Sequence, residues 1–421
     1  MRVLILNEYF YPDVASTAQH STDLARALVH DGHDVTVVAG RRGYESSAGL
    51  LPCKEIWEGI RILRVTSLGF SKTAPWQRAL HFASFLLLCA WRLLWLRPHD
   101  VVVAMTTPPL LSFLAALFIR LKGGRLCIWM MDLNPDEAVV AGWLRSGGFT
   151  HRFLESLLRY STQHADKIVV LDRFMQERVL AKGMSAETLM VLPPWSHDKM
   201  VQYDAHGRSE FRRKHGLEGK FVVMYSGNHS PCHPLDTLLV AAERLQHRNI
   251  QSPQIMFCFV GGGSLLAKIK EVSRLRSLKN VICLPYQPIE ELGASLSAAD
   301  LHIVVIGDPF VGVVHPCKIY NILRLGVPFL YIGPAKSHVI DMLPPGAAGD
   351  WAHLFRHGNA ENVAMCVEQC ASRGPRRAKQ ATTVAESFSE GTLIPRFVQV
   401  LSQMDLAGGI RQAEVTACGW K

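Results

Sequence analysis

Two doubly wound α/β halves of nearly equal length are the fold this sequence predicts. Three observations lead there. Short β-branched runs alternate with helical patterns along the whole chain, the mark of parallel sheets. Pro193-Pro194-Trp195 breaks that pattern near the middle, and a polar stretch follows to about Gly219. A second strand–helix series then begins at Phe221-Val222-Val223-Met224-Tyr225.

The elements follow in order. Val3–Leu6 reads as a strand, and Ser21–His30 as a helix with Leu24, Ala27 and Leu28 on one face and Gly32 as its stop. Further strands are expected at Asp34–Ala39, Ile60–Val65, Val101–Met105, Leu126–Met130, Lys167–Leu171 and Leu189–Leu192. Residues 193–219 read as a hinge. The second half places strands at Ile255–Val260, Val281–Leu284, Leu301–Ile306 and Phe329–Ile332. An amphipathic helix at about Thr392–Met404 ends the pattern, with a frayed tail expected after Ala407.

The 421 residues are 48% apolar and 19% charged, enough apolar material for large cores and no signature of disorder. Net charge is +9, which suits nucleic acid, anionic lipid or phosphorylated substrates. From Gly59 to Met131 nine basic residues face Asp100 alone, in a stretch rich in Leu, Phe and Trp. No zinc-finger, RRM or helix-turn-helix pattern occurs, so nucleic acid is set aside in favour of a membrane surface. The ten cysteines are scattered, without C-x-x-C or His at zinc spacing, and read as reduced, mostly buried thiols of a cytoplasmic protein. The N-terminal apolar run is too short for a signal peptide. Ala79–Trp91 would reach only about 20 Å as a helix, against a hydrocarbon core of about 30 Å. Val101–Ile119 is uncharged, but Pro108-Pro109 divides it into a strand and a helix. There is no G-x-G-x-x-G after the first strand and no P-loop, which argues against a dinucleotide oxidoreductase and a P-loop NTPase.

Three segments could carry chemistry. Tyr225-Ser226-Gly227-Asn228-His229 closes a strand just before a helix opening near Pro234. Glycine at such a turn lets backbone approach a ligand, and the helix start favours anions. His229 and His233 could donate to phosphate; the alternative is an ordinary turn with surface histidines. Val260-Gly261-Gly262-Gly263 is a second turn of this kind. The third is His315-Pro316-Cys317-Lys318, running on through Asn321 to Gly326-Val327-Pro328. Lys318 falls in a first helical turn, where a cation opposes the helix dipole. A bound anion would offset that; a snorkelling surface lysine is the alternative.

These segments sit in order along one domain, and together they resemble the nucleotide-sugar half of GT-B glycosyltransferases, particularly the family 4 type of bacterial surface polysaccharide synthesis. The resemblance extends to Asn7-Glu8-Tyr9-Phe10-Tyr11-Pro12, Gly32-His33-Asp34, Thr106-Thr107-Pro108-Pro109, Met131-Asp132-Leu133-Asn134-Pro135, Leu192-Pro193-Pro194-Trp195 and Leu284-Pro285-Tyr286-Gln287. It implies two Rossmann-like domains facing a cleft. Residues 1–195 would be the acceptor side and 196–390 the nucleotide-sugar domain. The helix near 392–404 is free to pack back on the first, and 405–421 would be a frayed tail. Donor-binding positions are Gly227, Asn228, His229, His233, Gly262, Gly263, Tyr286, Gln287, Lys318 and Asn321; Asp132 and Lys318 are the catalytic candidates. Asp132 could orient or deprotonate an acceptor hydroxyl, or serve as a turn or cap residue. The chain departs from the family at Val14-Ala15-Ser16-Thr17-Ala18, which replaces a glycine-rich loop, and at Pro231, which replaces an Arg. The family's E-x7-E motif falls on Val313 and Asn321, neither a carboxylate.

No D-x-D pair exists to hold a metal on a diphosphate, so leaving-group charge falls to Lys318, His229 and the Gly227 turn. No metal and no cofactor is expected. The resemblance thus implies a retaining, metal-independent hexosyl- or N-acetylhexosaminyl-transferase. Its donor would be UDP-linked and its acceptor lipid-linked or a glycan, at the inner face of the plasma membrane. A catalytically silent GT-B scaffold or regulator is the alternative, and a GT-B sugar-nucleotide epimerase a third. For the membrane, a helix over Trp76–Arg97 confines Gln77, Arg78, His81 and Arg92 to a narrow arc and leaves an apolar surface far wider than one core face needs. Either both sides are buried in protein or one side meets lipid; the basic stretch favours lipid, with Arg64, Lys72 and Arg78 as the expected anchors to an anionic membrane surface.

Overall fold

A computed structural model describes residues 1–43, 49–69, 75–248 and 253–418. It divides into two compact units. One comprises Met1–Pro194, Gly312–His315 and Leu393 onward; the other comprises Trp195–Val311 and Pro316–Thr392.

The first unit is built on an eight-stranded sheet: β1 (Arg2–Leu6), β2 (Asp34–Gly40), β3 (Lys54–Trp57), β4 (Ile60–Val65), β5 (Val101–Met105), β6 (Arg125–Met130), β7 (Lys167–Val170) and β8 (Leu189–Val191). Their order is β3-β4-β2-β1-β5-β6-β7-β8. Its helices are α1 (Ser16–His30), α2 (Pro75–Leu94), α3 (Leu111–Lys122), α4 (Asp136–Val140), α5 (Phe149–Gln163) and α6 (Arg173–Ala181). β5 is buried along its whole length, which is why Val101-Val102-Val103 is an unbroken apolar run rather than an alternating one. Among the described residues no helix is long and apolar enough to cross a membrane. The unforeseen β3 is antiparallel to β4, with Trp57 opposite Ile60. Glu58 and Gly59 between them both have positive φ, 47° and 80°, as a two-residue hairpin turn requires. Glu-Gly is not the usual sequence for that turn, and Arg26 holds Glu58 from α1 at 2.6 Å.

α2 buries His81, Phe85, Cys89 and Leu93, one face at four-residue spacing. Trp76, Leu80, Leu87, Trp91 and Leu94 are exposed, and at about 100° per residue they share one narrow arc. Its expected basic anchors need correction. Arg64 is buried, donating to the Tyr11 carbonyl at 2.7 Å and paired with Glu55 at 2.5 Å. Arg78 stacks over Trp143 at 4.4 Å, and Lys72 lies outside the described residues.

The second unit holds β9 (Phe221–Ser226), β10 (Ile255–Val260), β11 (Val281–Leu284), β12 (Leu301–Val305), β13 (Phe329–Ile332) and β14 (Ala352–Phe355). The order is β11-β10-β9-β12-β13-β14, and every pairing is parallel. Its helices are α7 (Ala205–Lys214), α8 (Asp236–His247), α9 (Leu266–Leu275), α10 (Leu292–Ser297), α11 (Lys318–Leu325), α12 (His338–Asp341), α13 (Ala360–Arg373) and α14 (Lys379–Glu386). Strand order reverses between β9 and β12, so the switch point, where open α/β sheets bind ligands, lies at their carboxyl ends.

Two expectations about connections are corrected. Residues 193–219 are not a free hinge. They contain α7, whose Arg208 and Arg212 both pair with the buried carboxylate of Asp300, the latter at 2.6 Å. Asp300 also accepts from the Val222 amide of β9 at 2.8 Å, which ties α7 to the sheet. The closing helix α15 runs from Glu390 to Cys418 rather than fraying after Ala407. Phe397 of α15 packs edge-on against Trp129 of β6, 4.7 Å between ring centres.

Candidate functional site

Gly227 follows β9 and Lys318 follows β12, so the two flank the switch point of the second sheet. Gly227 has φ 129° and donates its amide to Val260 at 2.9 Å. A Cβ there would lie 3.3 Å from the Lys318 ammonium, so the lysine rests directly on the glycine turn. Gly261 has φ 130°, and a Cβ on it would sit 2.2 Å from the Gly227 carbonyl. Gly263 is equally confined, with Asn228 Oδ1 at 2.2 Å from its would-be Cβ. Gly262 admits the Tyr286 ring, which comes within 2.6 Å of its would-be Cβ. The glycines are thus required by close packing of two successive turns. Gln287, beside Tyr286, turns its amide back to the Pro285 carbonyl at 2.9 Å.

Lys318 opens α11, and its Nζ is sealed from solvent with no hydrogen-bond partner among the described residues. Among the described residues it rests against the face of Tyr225, 3.4 Å away. Desolvation drives its pKa well below that of an ordinary lysine. A buried ammonium without a counter-ion is a costly arrangement that an anion would relieve. Tyr225 was not anticipated as a site residue. Its place at the end of β9 was legible, but the contact spans 93 positions of sequence.

The two histidines behave differently from expectation. His229 Nδ1 lies 3.0 Å from the Gly262 carbonyl, and His233 Nδ1 lies 2.7 Å from that of Val305. A carbonyl accepts, so both Nδ1 atoms carry the proton and each neutral ring presents a bare Nε2. Desolvation, reinforced by Lys318, lowers their pKa values to about 4 and about 3. In that neutral form neither can donate to phosphate; donation by His229 requires protonation, which an arriving anion would favour. Asn321 on α11 accepts from the His197 amide at 3.1 Å, leaving its Nδ2 for a ligand.

In the first unit, Asp132 follows β6. The Thr106 hydroxyl accepts from the amides of Met131 and Asp132 at 3.2 and 3.1 Å. Asp132 does not cap a helix, because α4 is preceded by Pro135. Desolvation, then Glu137, pushes its carboxyl up to about 8. A carboxyl protonated at neutral pH orients a hydroxyl better than it deprotonates one. Val313 is fully buried, and its carbonyl accepts from Leu133 at 2.8 Å. Two buried acid–histidine pairs escaped the sequence reading. Asp172 Oδ2 meets His315 Nδ1 at 2.7 Å, and Glu8 Oε1 meets His81 Nε2 at 2.5 Å while His81 Nδ1 faces the Leu68 carbonyl at 2.7 Å. Glu8, His81 and His315 lie in motifs or helices singled out above and Asp172 does not; 143 and 73 positions separate the partners.

Residues 17–195 match the glycosyl transferase 4-like domain family. Over 413 residues the chain is 24% identical to Escherichia coli (strain K12) WcaI, whose name places it in colanic acid biosynthesis as a glycosyl transferase; the match covers 93% of this chain and 96% of WcaI. Pseudomonas aeruginosa WbjE, named as a glycosyltransferase, is 25% identical over 58% of this chain and 61% of its own length. Among solved structures, Anabaena HepE in complex with UDP-glucose superposes with a TM-score of 0.69 at 15% identity, covering 96% of this chain and all of HepE. Residues 17–195 thus carry the glycosyl transferase 4-like domain, and the chain as a whole has the GT-B fold and is similar to glycosyltransferases of polysaccharide synthesis.

Proposed function

We propose that the second unit binds a UDP-linked sugar with its diphosphate against the Gly227 turn and Lys318, and that the sugar passes to a lipid-linked or glycan acceptor in surface polysaccharide assembly. The single observation that carries this reading is the sealed, unpartnered Lys318 ammonium at the switch point. The likeness to WcaI supports the polysaccharide context, and that to HepE supports the UDP-sugar donor. As the diphosphate leaves, Lys318 meets the developing charge. His229 can add a proton once that charge raises its pKa. We read the reaction as retaining and of the hexosyl or N-acetylhexosaminyl class. No D-x-D pair is present in the sequence, so turnover is expected to survive EDTA. The assay is release of UDP or GDP from a panel of sugar nucleotides, and loss restored by Mn²⁺ overturns the metal-free reading. The buried Val313, where the family has a carboxylate, favours one second reading: a silent GT-B protein, which would bind UDP without turning over any donor.

We also read α2 as a peripheral membrane-docking element on the inner leaflet. Its exposed arc ends in Trp91 and Trp95, 62% and 72% exposed and packed edge to face at 5.9 Å. Indole rings so placed suit the headgroup boundary. Arg92 and Arg97 close the same end, each worth about 1 kcal/mol near an anionic leaflet. Sedimentation with anionic vesicles is expected to be salt-sensitive and to fall when Trp91 and Trp95 become Ser or Arg92 and Arg97 become Gln. Equal, negligible binding to anionic and neutral vesicles defeats the reading.

A further inference from the structure

A second constellation lies in the same unit, away from the glycine turns. His353 stands on β14, the last strand of the sheet, paired with Leu330 of β13. Cys366 and Cys370 stand four positions apart on α13 and therefore on one face of that helix. His353 and Cys370 are buried, whereas Cys366 is half-exposed. His353 Nε2 lies 3.4 Å from Cys370 Sγ, and the three ligand atoms all lie within 4.8 Å of one another.

Those separations have a geometric meaning. Zinc–sulfur and zinc–nitrogen bonds of about 2.3 and 2.0 Å at tetrahedral angles put S and N about 3.5 Å apart and two sulfurs about 3.8 Å apart. The His353–Cys370 distance is already near the first value. We propose that His353, Cys366 and Cys370 bind one thiophilic divalent cation of the zinc type through Nε2 and two thiolates, with the fourth position open to water beside half-exposed Cys366. Binding replaces two S–H bonds by two metal–sulfur bonds and releases two protons. The bound form then has no net charge at its core, because two thiolates balance the dication.

The charged surroundings suit the thiolates. Arg376 faces Cys370. Arg373 also faces Cys366. Arg376 is drawn partly aside by Asp350, 3.6 Å away. Soft sulfur and imidazole ligands select against Mg²⁺ and Ca²⁺. The role is structural: the cation would clamp the last strand to the helix that covers it, apart from the donor-binding turns, so EDTA would lower stability without abolishing turnover.

The test uses the full chain, reduced and chelator-treated, titrated with Co²⁺ and Zn²⁺. One equivalent of Co²⁺ should give thiolate-to-metal charge-transfer absorption and d–d bands of tetrahedral intensity, displaced by Zn²⁺. Cys370→Ser should remove the charge-transfer band, Cys366→Ser and His353→Gln should weaken binding at least tenfold, and Cys53→Ser should change nothing. A second measurement needs no variant: one equivalent of Zn²⁺ should slow alkylation of Cys366 at least tenfold while leaving exposed Cys53 unaffected, and Mg²⁺ should protect neither. Absence of the charge-transfer band in the unmodified chain, its survival in Cys370→Ser, or unchanged Cys366 alkylation overturns the site. None of these outcomes depends on whether a sugar nucleotide is bound.

Discussion

Lys318→Ala should weaken UDP binding by about 1.5–3 kcal/mol, the range for a hydrogen bond to a charged group, or roughly 10- to 150-fold. Titration calorimetry reads this directly, and an unchanged affinity removes Lys318 from the donor site. The apolar substitution Lys318→Met separates binding from packing. In the free protein the ammonium is desolvated and its pKa lies well below 10.5, so the unfolded chain binds the proton more readily. Stability therefore rises with pH from the native pKa up to about 10.5 and is penalised below it. Met removes that penalty. It should raise the unfolding midpoint at neutral pH, with the gain fading toward pH ~10.5, while UDP affinity falls. The same linkage predicts net proton uptake when UDP binds, because the diphosphate restores the lysine's basicity and raises that of His229. Calorimetry in buffers of different ionisation enthalpy measures the uptake, and Lys318→Met should reduce it.

Gly261→Ala should cost about 2–6 kcal/mol. The methyl would stand 2.2 Å from the Gly227 carbonyl, backbone against backbone, where neither side can yield cheaply. Overpacking of this kind costs about 1–3 kcal/mol. The backbone at φ 130° adds a further cost of about 1–3 kcal/mol for an L residue. The control is Gly219→Asn, at φ 68° with nothing within 4 Å of its Cβ position. Urea unfolding should leave Gly219→Asn near the parent and shift Gly261→Ala strongly. Equal midpoints for both would mean that the second turn is not locked to the first.

The parallel framework was legible because β5, β9 and β10 are buried on both faces and so read as unbroken apolar runs. β3 and β14 were not legible, being four-residue edge strands, one of them half-exposed and introduced by a Glu-Gly turn. The glycine turns and Lys318 could be found because each sits next to its own strand end. What could not be found is pairing at a distance. Tyr225 under Lys318, Asp172 with His315 and Asp300 with two arginines join residues brought together only by strand order. Protonation states were hidden for the same reason. That His229 and His233 spend their N–H groups on carbonyls follows from neighbours 33 and 72 positions away. Cys366-x-x-x-Cys370 lies open in the sequence, but its histidine comes from an adjacent strand rather than from the helix that carries the thiols.

The Asp300 clamp bears on where this chain can be cut. A fragment opening at Phe221 would retain every strand of the second sheet yet lose Arg208 and Arg212, stranding a carboxylate in the interior beneath the Val222 amide. Removing the partners of a buried charge costs about 3–5 kcal/mol, a large fraction of a domain's whole stability. An excised second unit therefore has its natural start at Trp195, ahead of the helix that looks like a tether, and its natural end at Thr392. The polar stretch between the two strand–helix series thus supplies the counter-ions of the sheet's buried carboxylate.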